Sequence, residues 1–222
     1  MRKQKKMLRA FSDIPLPGLY FTEPADLPFM QGVEVRSYLI KTDDGIVVIY
    51  NSPGLSRDKA AVADLGKPCS ILMSHWHEAM YGDQLEIPTY VSAADLFQAN
   101  ASMPKVADLL ACHGLSDSID IISTPRHTAG FTMFLWTCGN RRVLFSGDMI
   151  WLHDGRWDAV VLVESDRQKY IASLEAVAEI EFDVLVPWVS KRAEPYAMLN
   201  DKYSARAQIL EIVRRVRNGE NS

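Results

Sequence analysis

The sequence predicts an α/β protein, α+β in its organisation, with mixed β-sheets covered by helices. Two observations carry this. Strand-like runs paired by tight turns come first, and later strands alternate with segments of helical period. The chain has no internal repeat and no low-complexity segment.

Val33 to Tyr38 alternates and then runs apolar into Leu39-Ile40. Thr42-Asp43-Asp44-Gly45 separates it from a second apolar run, Ile46 to Tyr50. Asp-Gly between two such runs signals a hairpin. Asn51-Ser52-Pro53-Gly54 breaks the second strand. Ser56 is placed to cap a short helix through Leu65, with Asp58 and Lys59 in its first turn. Gly66-Lys67-Pro68 stops that helix, and Ser70 to Met73 reads as a short buried strand. Ser74 to Asp83 follows as a loop. Ile87 to Val91 is another strand, and Ser92-Ala93-Ala94-Asp95 resembles a capping box that opens a helix near Phe97.

A further helix is expected from Lys105 to Cys112, stopped by Gly114. Ile119 to Ser123 is a strand leading into Thr124–Gly130. Phe131 to Thr137, a Gly139-Asn140 turn and Arg142 to Phe145 form a second hairpin. From Asp166 to Ile180, Tyr170, Leu174, Val177 and Ile180 recur at helical spacing. Phe182 to Val186 is a strand stopped at Pro187. A last helix runs from Tyr203 to Val216. It turns Ile209, Leu210, Ile212 and Val213 inward, and Arg214, Arg215 and Arg217 suit the dipole at its C-terminal end.

At 222 residues the chain fits one globular domain, or a two-lobed fold with a single core. The division expected is a basic tail over residues 1–18 and one domain over 19–222. Arg2, Lys3, Lys5, Lys6 and Arg9 make the tail basic, and a solvated, flexible segment accounts for it. With 24 basic and 28 acidic residues the net charge is −4, so nucleic acid has no electrostatic case. No apolar run is long enough for a bilayer. The tail lacks the apolar core and small-residue cleavage site of a signal peptide. Cys69, Cys112 and Cys138 are an odd set without a CxxC pair. They fit reduced thiols in the cytoplasm better than disulfides or a cysteine zinc site.

The residues able to carry chemistry fall at the C-terminal ends of the expected strands: His75 and His77, then His127, then Asp148. Strand ends with irregular loops are where such folds build sites. Neutral imidazoles with a carboxylate suit zinc or non-haem iron. Alone, His-x-His is weak evidence, because two histidines at period two also simply line one side of a loop.

The flanks add a resemblance. Residues 37–49, Ser-Tyr-Leu-Ile-Lys-Thr-Asp-Asp-Gly-Ile-Val-Val-Ile, look like the opening hairpin of the metallo-β-lactamase fold superfamily, which includes glyoxalase II-like hydrolases. Ser74-His75-Trp76-His77 matches the start of that family's T-H-x-H-x-D-H motif, with Gly82 where a family glycine follows. Pro125-Arg126-His127-Thr128-Ala129-Gly130 resembles its P-G-H-T-P-G segment, and Leu144-Phe145-Ser146-Gly147-Asp148 its L-F-T-G-D segment. Ser173-Leu174 and Asp183-Val184-Leu185-Val186-Pro187 resemble the approach to its closing P-G-H motif. The resemblance spans residues 19 to 192. It implies an αββα sandwich of two mixed sheets flanked by helices, with a metal site at one edge.

The departures are as informative. The family's motif aspartate falls on Ala79, its next histidine on Met80 and its last histidine on Val189. The aspartate ending its early strand falls on Tyr50, and the glycine before its third histidine on Arg126. The resemblance therefore implies one intact metal site of His75, His77 and His127, with Asp148, the family's bridging carboxylate, as a fourth ligand or as an acceptor from the bound water. A second site is degenerate, because apolar side chains hold no such cation.

The expected function is that of a metallo-hydrolase with a mononuclear zinc site, activating water against a small ester, thioester or amide. Asp148 and Glu78 are the candidate catalytic groups, Glu78 as a general base beside the missing aspartate. Trp76, Arg126, Trp188 and Met80 are candidates for a substrate pocket, Arg126 also as a substitute cation. Two alternatives stand beside this reading. One is a binding or scaffold descendant with no metal and no chemistry. The other is a mononuclear iron dioxygenase-like enzyme using His75, His127 and Asp148. The expected partner is a small-molecule substrate, and a homodimer is compatible with the sequence. Weaker candidates are His113 near a helix end and His153 in a turn, with Trp151 and Trp157 equally suited to packing.

Overall fold

A computed structural model describes residues 8–11, 14–112, 115–125, 127–163, 165–191, 194–199 and 201–220. Two compact units alternate along the chain. One takes residues to Asp26 and Val35–Ser116, the other Leu27–Glu34 and the chain from Asp117 on.

The first unit is built on a seven-stranded mixed sheet. Arg9–Ala10, Leu19–Phe21, Tyr38–Thr42 and Gly45–Ile49 pair antiparallel in that order. Pro68–Leu72, Thr89–Val91 and Ala107–Asp108 then add in parallel. Leu39, Val48 and Ile71 point to one face and join the core of Leu55, Val62 and Ala99 from the helices Gly54–Arg57, Lys59–Leu65 and Leu96–Ser102. The alternating partners Ile40, Val47 and Leu72 are buried as well. Burial of both faces is why these strands read as continuous apolar runs.

The second unit holds a sheet with Ile119–Ser123, Thr132–Cys138, Arg141–Gly147, Val184–Pro187 and Ala197–Met198 side by side. The pairing of Arg141–Gly147 with Val184–Pro187 is parallel and the rest are antiparallel. In a smaller sheet, Arg156–Asp158, Trp151–His153, Val189–Lys191 and Val33–Val35 are neighbours in that order. Helices Arg167–Val177 and Lys202–Arg217 pack together and bring Tyr170, Leu174, Ile209, Ile212 and Val213 onto Leu135, Leu144 and Leu185. Asp166 caps the first helix by accepting from the Lys169 N–H. Asp201 caps the second by accepting from the Tyr203 and Ser204 N–H groups. Mixed sheets with helices on them are the class the sequence predicts. The second unit, however, divides its strands between two sheets.

Several local expectations are corrected. The run from Val33 to Ile40 is two strands in different sheets, separated at Arg36–Ser37, where the Ser37 N–H donates to Thr22 Oγ1. The hairpin register pairs Thr42 with Gly45, so Asp43-Asp44 form the turn. Ser56 lies inside a four-residue helix rather than capping, and the Asp58 carboxylate accepts from the Glu23 N–H. Ser92 makes no side-chain cap, and no long helix covers 105–112. Asn100 instead holds the Val106 backbone, and Asp108 caps a single turn at Leu109–Ala111. Both ties compete with helix continuation. Arg215 is no exposed dipole cation: it is buried, with Nη1 2.7 Å from Asp158 Oδ1.

Leu8 to Ala10 lie in the stretch read as a flexible tail, and Arg9–Ala10 already pair with the next strand. His113, Gly114 and Arg126 lie outside the described residues. No described helix is long and apolar enough to cross a membrane.

Candidate metal centre

In the first unit, strand Pro68–Leu72 delivers the histidines. The chain is extended at His75 and then coils into the 3₁₀ turn Trp76–Tyr81, which ends at Gly82. The His75 and His77 rings stand edge to face with centroids 4.8 Å apart. Three buried side chains hold this segment by its backbone. Glu78 Oε1 accepts from the Ser74 N–H at 2.7 Å, and Glu78 Oε2 accepts from the Asn51 N–H at 2.7 Å. Asp95 Oδ2 accepts from the Trp76 N–H at 3.2 Å. Asn51 Nδ2 donates to the Glu78 and Gly82 carbonyls. The Asp95 carboxylate is thus absorbed by the histidine segment, which is why Ser92–Asp95 is not a capping box.

The sequence suggests Glu78 as a general base. It is 0% exposed, and both its oxygens accept hydrogen bonds. Its Oε1 also takes the Ser74 hydroxyl at 2.6 Å, and Ser74 Oγ lies 2.9 Å from His75 Nδ1. A carboxyl so engaged supports the histidine from behind.

In the second unit, His127 sits in the loop after strand Ile119–Ser123, closed by the Thr124 N–H donating to the Phe131 carbonyl. His127 Nδ1 lies 2.9 Å from the Val160 carbonyl oxygen. A carbonyl only accepts, so Nδ1 carries a proton, and in the neutral ring Nε2 keeps the lone pair. Asp148 follows strand Arg141–Gly147, whose register shifts after Phe145. Gly147 takes φ 57°, a left-handed value suited to glycine. Ser146 Oγ donates to the Ile150 carbonyl and closes the turn around Asp148. Asp148 Oδ2 lies 3.9 Å from His127 Nε2, too far for a direct hydrogen bond.

Each unit brings two donors together: the His75 and His77 rings in the first, and His127 Nε2 with Asp148 Oδ2 in the second. Three of the four residues are buried and His77 is half-buried. The donor set is three imidazoles and a carboxylate, and at His127 the tautomer leaves the ligating nitrogen in its basic form. Such a set fits a borderline divalent ion.

The positions where the resemblance expects further ligands carry none. Ala79 is fully buried, Met80 is 44% exposed, and Val189 is buried in its strand. Of the expected pocket residues, Trp76 is half-buried with its ring 4.1 Å from that of His77, whereas Trp188 is buried. Trp151 and Trp157 are buried, Trp157 within the core of the second unit. His153 stands beside Asp154 and Asp158, apart from the cluster.

Asn51, Asp95 and Val160 escape a reading of the sequence. Asn51 reads as a strand breaker and Asp95 as a helix cap, while a backbone carbonyl leaves no signal in side-chain identity.

No protein-family model and no curated protein matches the chain. Solved structures do. A metallo-β-lactamase from Erythrobacter litoralis, with β-mercaptoethanol in its active site, is similar at TM-score 0.66 and 14% identity, over 89% of this chain and 93% of that one. The DIM-1 metallo-β-lactamase exposed to ceftazidime is similar at 0.69 and 12%, over 98% and 100%. The hydrolase AbOPH of the β-lactamase superfamily is similar at 0.57 and 12%, over 88% and 94%. Likeness at such identity carries the fold and leaves the chemistry to the site.

Proposed function

This chain has the metallo-β-lactamase fold, and from that premise we propose that it is a metal-dependent hydrolase with a single ion, zinc, held by His75, His77, His127 and Asp148. The observation that carries the reading is the donor set, with the His75 and His77 rings 4.8 Å apart in one unit and His127 Nε2 3.9 Å from Asp148 Oδ2 in the other. An ion bound there supplies Lewis acidity toward a carbonyl and lowers the pKa of a water molecule.

The chain's own residues do the rest. Val160 holds His127 in the tautomer that presents Nε2. Asp148, 8% exposed, serves as the fourth ligand or as the acceptor of a hydrogen bond from the bound water. Glu78, with both oxygens engaged, is assigned to support rather than to proton transfer. Ala79, Met80 and Val189 offer no donors for a second hard or borderline ion, which supports a mononuclear centre. The substrate class is a small ester, thioester or amide. Cys69, Cys112 and Cys138 are free thiols, which supports work in the reducing cytoplasm.

The test is metal analysis of protein purified without chelator, followed by turnover of an ester and thioester panel. One zinc per chain and a rate abolished by His127→Ala are expected. Protein that refuses zinc on titration, or turnover indifferent to His127→Ala, overturns the reading. Iron content with oxygen uptake on thiol substrates overturns it in favour of an oxygenase.

A further inference from the structure

Ser74, His75 and Glu78 are each 0% exposed and form a directed chain of hydrogen bonds. Both Glu78 oxygens face backbone N–H groups, of Ser74 and of Asn51, and such groups only donate. The Glu78 carboxyl therefore acts as an acceptor at each oxygen. The Ser74 hydroxyl donates to Glu78 Oε1 at 2.6 Å, which commits its one hydrogen. What Ser74 Oγ has left for His75 Nδ1, 2.9 Å away, is a lone pair. The proton in that contact must come from the ring. The neutral His75 ring is then the Nδ1–H tautomer, with its lone pair on Nε2.

A second observation ties this chain to the fold. Strand Gly45–Ile49 ends at Tyr50, which takes φ 68°, a left-handed value rare for a non-glycine residue. The next N–H, that of Asn51, donates to Glu78 Oε2. A carboxylate is absent from position 50, and Glu78 brings one to the strand end from the histidine segment itself. Strand end, serine and ligand histidine are thereby locked in one buried unit.

We infer that Glu78 and Ser74 are positioning residues for metal binding: the Glu78–Ser74–His75 relay fixes the tautomer and ring orientation of His75, so Glu78 sets metal affinity without touching the ion. This rests on the metal-binding reading above. A hydrogen-bond partner behind a ligand histidine typically governs metal affinity by about 10–100-fold.

The test uses the full chain and zinc alone. In metal-free protein at mildly alkaline pH, long-range proton–nitrogen correlation spectra of the His75 ring are expected to show Nδ1–H in the parent chain. Ser74→Ala is expected to lose that single tautomer, and Ser74→Thr, which keeps the hydroxyl, to retain it. Zinc affinity, read by competition with a chromophoric chelator, is expected to fall about 10–100-fold in Ser74→Ala and to return in Ser74→Thr. Nδ1 without a proton in the parent spectrum overturns the relay, and that measurement needs no variant. Ser74→Ala binding zinc as tightly as a zinc-binding parent overturns the relay alone. A parent that refuses zinc overturns the metal reading instead, and with it the relay's role in affinity.

Discussion

His127 Nδ1 donates across 2.9 Å to the carbonyl oxygen of Val160, 33 residues further along the chain. That one bond decides which nitrogen of the ring is basic. It also attaches the ligand loop to the segment after strand Arg156–Asp158, so ring orientation does not depend on the loop alone.

His127→Ala removes a donor from the cluster. Zinc affinity is expected to fall by more than the about 10–100-fold typical of losing only a supporting partner. Chelator competition checks this. Thermal unfolding of the metal-free variant is expected below that of the metal-free parent, since losing the buried ring strands the Val160 carbonyl at a cost of about 1–3 kcal/mol.

Asp95→Ala leaves the Trp76 N–H without its carboxylate acceptor between the two histidines. A buried donor stripped of its partner costs about 1–3 kcal/mol. Chemical denaturation is expected to show that loss, with Asp95→Asn recovering part of it because an amide oxygen still accepts. Equal stability of Asp95→Ala and the parent would show that water satisfies the N–H.

Tyr170→Phe is expected to cost about 1–3 kcal/mol at neutral pH by stranding the Met149 carbonyl, to which the hydroxyl donates at 2.8 Å. It also changes the alkaline limb. Burial raises the Tyr170 hydroxyl well above its ordinary 10.0. The Val160 backbone opposes that shift, and the Asp148 carboxylate adds to it. The folded chain holds this proton where the unfolded chain has released it. The stabilisation is full below about pH 10 and is lost as pH climbs beyond. Stability measured from pH 9 to 11 is expected to fall more steeply in the parent than in Tyr170→Phe.

Arg215→Ala leaves Asp158, 1% exposed in its side chain, with the more exposed Arg156 and half-exposed His153 as its cationic partners among the described residues. Breaking a buried pair from one side costs about 3–5 kcal/mol. Arg206 pairs with Glu179 at 3.0 Å, but these side chains are 52% and 67% exposed. Arg206→Ala is therefore expected to cost less than about 1 kcal/mol. Urea midpoints of the two variants test the contrast.

Much of the fold is legible along the chain because its signals are local. The Thr132–Cys138 and Arg141–Gly147 hairpin and the period of Tyr170, Leu174 and Val177 depend on neighbours a few residues apart. Three of the illegible features share one cause: a polar side chain with an evident local use is taken by a distant partner. Asp58 went to Glu23, Asp95 to Trp76, and Arg215 to Asp158.

The same division runs through the candidate site. The sequence by itself determined the donor types, their place at strand ends, and the lack of donors at Ala79, Met80 and Val189, because these follow from side-chain identity and hairpin order. Tertiary structure alone decided how each donor is held. Asn51 meets Glu78 across 27 residues, and Val160 meets His127 across 33. Glu78, adjacent to His77 and plausible as a base, is buried with both oxygens engaged because the end of another strand supplies an N–H for its second oxygen. Hydrogen bonds go to whichever donor or acceptor the fold brings within about 3 Å, and that proximity is a property of the packed chain.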